Sequence, residues 1–77
     1  MNLDNFIENF ADLFDETAPD LIKPETRFKE LDEWSSLLAL SLIAMADEEY
    51  EVELRGEDIR RTTTVSDLYA IVESRHE

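Results

Sequence analysis

The chain has no cysteine, a single glycine, two prolines and a single histidine among its 77 residues. Without cysteine it forms no disulfide and offers no thiolate to a metal. The lone His76 lies in the terminal tail, where nothing would orient it, so a Ser-His-Asp hydrolase triad fails and zinc ligation has no support. Positive charge is scarce as well: seven Lys and Arg face 20 Asp and Glu, for a net charge of −13. That balance repels nucleic acid and anionic membranes and favours protein partners that carry Lys and Arg patches. There is no basic-then-apolar leader and no apolar run long enough to span a bilayer, so the expected setting is the cytoplasm and the expected state a monomer. A chain of this length is one domain, residues 1–77, with little room for an enzyme cleft, and no catalytic activity is expected of it.

What the chain does have is helical periodicity, which separates it from a disordered acidic segment. Leu3, Phe6, Ile7, Phe10, Leu13 and Phe14 recur at spacings of three and four, predicting a first helix from about residue 3 to 16. Pro19 and Pro24 exclude a continuous helix through residues 17–34, a long connection for which Leu21, Ile22, Phe28, Leu31 and Trp34 are the expected anchors. A second helix is predicted to start after Ser35 as N-cap and to reach about Tyr50. Between Leu37 and Met45 only Ser41 is polar. At about 100° per residue, Ala39, Leu42, Ile43, Ala46 and Tyr50 share the expected core side. Ser41 and Glu48 mark the opposite one, flanked by Leu37, Ala44 and Met45, with Leu38 at its edge.

After the second helix, Val52 and Leu54 are expected to turn inward, and Glu57 to Arg61 to form one helical turn with acids first and bases last. Thr64 with Asp67 makes an approximate capping box for the last helix, whose buried side is Val65, Leu68, Tyr69, Ile71 and Val72. The tail after Ser74 is expected to fray. The fold class that follows is all-α: a small bundle of three main helices plus one short helix.

Chemistry is confined to one position. A calcium loop starting at Asp47 would need a turn glycine where Val52 stands, and the many carboxylate pairs carry no burial signal for acid/base work. Ser36 remains, a hydroxyl at a helix start with no base beside it, which suits a substrate of another enzyme better than a nucleophile in its own right. A phosphate attached there would meet unpaired backbone N–H groups and the positive end of the helix dipole. Taken by itself, Ser35-Ser36 is also an ordinary tandem capping sequence.

Phe28, Leu31, the run Trp34-Ser35-Ser36-Leu37, the apolar helix closing in Asp47-Glu48-Glu49-Tyr50, then Val52, Leu54, Ile59 and Thr63-Thr64-Val65 give the chain a pattern that resembles the acyl carrier protein family over nearly its whole length. The resemblance implies 4'-phosphopantetheine attached covalently to Ser36 by a phosphopantetheinyl transferase. It also implies an acyl or aminoacyl thioester as cargo, and acyl-loading and acyl-processing enzymes with basic patches as partners. Docking would run along the second helix through Leu37, Leu38, Ser41, Ala44 and Met45, with Asp47 and Glu48 steering. Two features depart from the family: Ser35 replaces the usual Asp before the modified serine, and Leu38 and Ser41 stand where acids are often found. The Gly-Gly-x-Ser approach of peptide-synthesis carriers does not occur. The rival expectation is an unmodified acidic adaptor that binds a basic or amphipathic partner helix.

Overall fold

Asn2 starts the first helix: its Oδ1 accepts the N–H of Asn5 at 2.7 Å, which satisfies one of the donors a helix start leaves unpaired. The computed structural model describes residues 2–76. Helix α1 spans Leu3–Ala11 and buries Phe6, Phe10 and Ala11. It ends well short of residue 16. The Leu13 N–H turns back to the Phe10 carbonyl and the Phe14 N–H to that of Ala11, tightening the last turn, and Phe14 still packs edge-on against Phe10 with ring centroids 5.3 Å apart. Beyond that turn the backbone is taken by Glu33, whose carboxylate accepts the N–H groups of Asp15, Glu16 and Thr17 at 2.7–3.0 Å together with the Thr17 hydroxyl at 2.8 Å. A longer helix would also have put Asp12, Asp15 and Glu16 at its negative end.

The connection to the second helix contains two 3₁₀ turns, Pro19–Leu21 and Phe28–Glu30. Ile22 and Phe28 anchor it in the core, and Leu31 and Trp34 pack partly buried against them. Leu21 is not an anchor: it is 57% exposed, on the outer side of a turn nucleated by Pro19. Hydrogen bonds from the Val65 N–H to the Thr26 carbonyl and from the Ser66 N–H to the Pro24 carbonyl tie this connection to the last helix.

Helix α2, Ser36–Tyr50, begins at Ser35, whose Oγ accepts the Leu38 N–H at 3.4 Å. It closes at Glu51, in the left-handed region at φ 56°, with the Val52 N–H reaching the Ala46 carbonyl at 3.2 Å in a Schellman-type cap. Val52 and Leu54 turn inward as the sequence indicates. A short helix α3, Gly56–Arg60, follows, and then α4, Val65–Arg75, with a reciprocal capping box between Thr64 and Asp67. Helix α1 packs on α2 and α4, and α3 packs on the same two. The result is the small all-helical bundle expected. At its centre Phe6, Phe10, Phe28, Leu42, Leu54, Leu68, Val52, Val65 and Val72 are fully buried.

The end of α4 does not fray at Ser74. Arg75 makes a two-pronged ion pair with Asp58, Nη1 to Oδ2 at 2.7 Å and Nη2 to Oδ1 at 3.1 Å, and Nη1 also reaches the Glu53 carbonyl at 3.1 Å. The Asp58 side chain, 3% exposed, also accepts the Arg55 N–H at 2.9 Å. The Arg75 hydrogen bond, assisted by the Arg55 N–H, overcomes the effect of burial and holds the Asp58 carboxyl below its ordinary range.

Candidate functional site around Ser36

Ser36 is the first residue of α2 and its side chain faces solvent. The helix start is only partly capped: Ser35 takes the Leu38 N–H, which leaves the N–H groups of Ser36 and Leu37 without a partner among the described residues. No acid lies in the first turn of α2. The positive end of this helix is therefore open to an anion.

From Ser36 an open groove of about 570 Å³ runs between α2 and α3. Trp34, Ala39, Leu40, Ile43 and Ile59 make it largely apolar, and Lys29, Gly56 and Arg60 complete its far side. Leu40 and Ile43 also line a second depression that continues along α2 past Ala44 and Asp47 to Val52, Glu53 and Leu54. Apolar side chains thus extend from the serine along the α2–α3 side of the molecule.

The positions expected at the docking face separate into two groups. Ser36, Leu37, Ala44, Asp47 and Glu48 are exposed, and Ser41 is half-buried. Leu38 and Met45 are core residues, 8% and 6% exposed, and contribute no docking surface. Their burial follows from the phase of the helix. Leu42, Ala46 and Tyr50 face inward as expected, but Leu38 and Met45 join them while Ala39 and Ile43 are only half-buried, so the buried side is turned by roughly 50° about the axis from the expected one. The same rotation brings Leu40 to the surface at 64% exposure, beside Leu37 at 72%. Leu40 is the residue of this exposed face that sequence reasoning missed. Its spacing from Leu37, Ala44 and Asp47 places all four on one stripe, the signal that could have found it.

The far end of α2 is acidic. Asp47, Glu48 and Glu49 occupy its last turn, Glu51 follows, and no base stands there. Tyr50 fixes this end to α1: its hydroxyl donates to Asn5 Oδ1 at 2.7 Å and accepts from Asn9 Nδ2 at 2.9 Å. Burial, with a contribution from the Glu49 charge, pushes the phenol above its ordinary value, so it stays protonated. Among the described residues no three acids or histidines converge as a metal site, and no helix is long and apolar enough to cross a membrane. Comparison with known proteins finds no matching family model, no matching curated protein and no matching solved structure.

Proposed function

We propose that the protein is an acyl carrier that receives 4'-phosphopantetheine on Ser36. The observation that supports this best is the placement of that hydroxyl: exposed, at the only partly capped positive end of a helix, and on the lining of an apolar groove. In the transfer, Ser36 Oγ attacks the phosphorus of coenzyme A that bears the pantetheine. A phosphodiester to serine forms, the pyrophosphate bond breaks, adenosine 3',5'-bisphosphate leaves, and the serine proton passes to the transferase. The protein has no base of its own beside Ser36, which fits a residue acted upon by an enzyme. Once attached, the arm supplies a terminal thiol on which an acyl or aminoacyl group is carried as a thioester.

The chain's own residues then do three things. The N–H groups of Ser36 and Leu37 face the phosphodiester; the groove walls offer apolar shelter to the arm and cargo; Leu37, Leu40 and Ala44 present contact surface, with Asp47 and Glu48 beyond them to steer basic enzymes. Tethering holds the cargo at high effective concentration for each partner site. Incubation with coenzyme A and a broad-specificity phosphopantetheinyl transferase tests the proposal: the intact mass should rise by one phosphopantetheine, and Ser36→Ala should abolish the gain. A chain that stays unmodified under these conditions is better described as an acidic adaptor.

A further inference from the structure

Lys29 and Arg60 come from elements 31 residues apart, the second 3₁₀ turn and α3, and meet on one wall of the groove beside Ser36. The Lys29 Nζ donates to the Arg60 backbone carbonyl at 3.1 Å, which leaves both charges uncompensated. In a chain with 20 acids and seven bases, neither forms an ion pair among the described residues, although Arg27, Arg55 and Arg75 do. Lys23 and Arg61 are likewise without an ion pair, but only Lys29 and Arg60 line the groove, and both are exposed there, so their charges are available to an anion that enters it.

The only glycine points to the same place. Gly56 opens α3 without a positive φ, and a Cβ added to it would meet only Arg60 Nη1, at an ordinary 3.5 Å. Neither backbone conformation nor crowding within the protein requires glycine at this position. Its effect is to leave room in the groove next to the Arg60 guanidinium.

We infer that the groove selects acyl cargo bearing a carboxylate, with Lys29 and Arg60 as the residues that bind its charged end; this rests on the carrier reading of Ser36. The phosphodiester of the arm is not the anion they serve, since it hangs from Ser36 on α2, where the open helix start already meets its charge. The cations come from other elements, the second 3₁₀ turn and α3, and line the same groove as Ile43 and Ile59, within which an acyl chain folded back from Ser36 would lie. A tethered cargo is present at an effective concentration on the order of millimolar, so even a weak contact of this kind populates the docked state.

The test uses the intact protein loaded on Ser36 from pentanoyl-, glutaryl- and unacylated coenzyme A, each product confirmed by mass. Trp34, the single tryptophan, lines the groove and reports docking by its fluorescence. The glutaryl form should melt about 4 °C or more above the pentanoyl form, shift Trp34 emission, and lose both differences in high salt. In the Lys29→Met/Arg60→Met variant the glutaryl and pentanoyl forms should coincide. Equal melting and emission for the two forms of the wild type would overturn the inference while leaving the carrier reading intact. So would a glutaryl preference that survives the double substitution, or a loss of stability already complete in the unacylated form, which would assign the cations to the phosphate. No mass gain on Ser36 would overturn both.

Discussion

Helices α4 and α2 are built to opposite rules. Helix α4 has a capping box at its start, an acid in its first turn and a base in its last, and that base is spent on a buried carboxylate. Helix α2 has no acid in its first turn, no base in its last, three acids where the dipole disfavours them, a glutamate forced into the left-handed region, and two leucines in open solvent. A sequence selected for stability alone would reverse most of these choices. The contrast teaches that α4 closes the bundle while α2, held in place by its inward face and by Tyr50, leaves its start and its outer face at the surface, where the proposed carrier role would use them.

The sharpest way to probe this division is within α2 itself. Met45→Glu places a charge in the core and should cost about 3 kcal/mol, read as a large fall in melting temperature. Leu40→Glu, a little over one turn away, should leave stability within about 0.5 kcal/mol yet lower the transferase's kcat/KM about tenfold. Equal destabilisation by both would erase the distinction between inner and outer face. Next in size, Asp58→Ala should cost about 2 kcal/mol, because the Arg55 N–H loses its acceptor and Arg75 its anchor, without affecting loading of Ser36.

These pairs also mark what the sequence discloses. The start of α2 at Ser35, its end at Tyr50, and the Thr64–Asp67 box are written in adjacent residues and were legible, because capping is a local interaction. The end of α1 was not, since it is set by Glu33, which lies 16 to 18 residues beyond the N–H groups it accepts. The order at Arg75 is not legible either, because its partner Asp58 is 17 residues away. The phase of α2 is hard to read for another reason: with Ser41 as the only polar residue between Leu37 and Met45, only Asp47, at the end of the Leu37–Leu40–Ala44 stripe, distinguishes Leu40 from Leu38 and Met45. The position of Ser36 was legible; the groove was not, because Gly56, Ile59 and Arg60 reach it only through the fold.

A smaller effect is expected at the far end of α2. Glu51→Gly relieves the left-handed strain and removes an acid from the negative helix end, and should stabilise the protein by about 0.5–1 kcal/mol in chemical denaturation. A loss of stability would mean that the acid is held there by contacts within the fold.

The smallest effect concerns mild changes of solution. Glu33, Asp58 and Asp67 are all held below their ordinary carboxyl values; for Glu33, burial works in the other direction and is outweighed by the three backbone N–H groups and Thr17, whereas for Asp67 the Thr63 and Thr64 N–H groups lead. A lowered folded-state value contributes stability that is present above the unfolded value, near 4, and is lost as pH falls through the folded one. These groups therefore remove nothing between pH 7 and 5. In that window the melting temperature should hold or rise by a degree or two, as it should when moderate salt screens the net charge, and it should fall below about pH 4. A steady decline from pH 7 would contradict this.

The central claim is that α2 presents Ser36 for modification, and site-resolved mass spectrometry after exposure to coenzyme A and a broad-specificity transferase tests it most directly. The account predicts one phosphopantetheine on the peptide containing Ser36, retained in Ser35→Ala and absent from Ser36→Ala, with both variants folded by circular dichroism. Modification that survives Ser36→Ala and vanishes in Ser35→Ala, or no modification of the wild type, would contradict it.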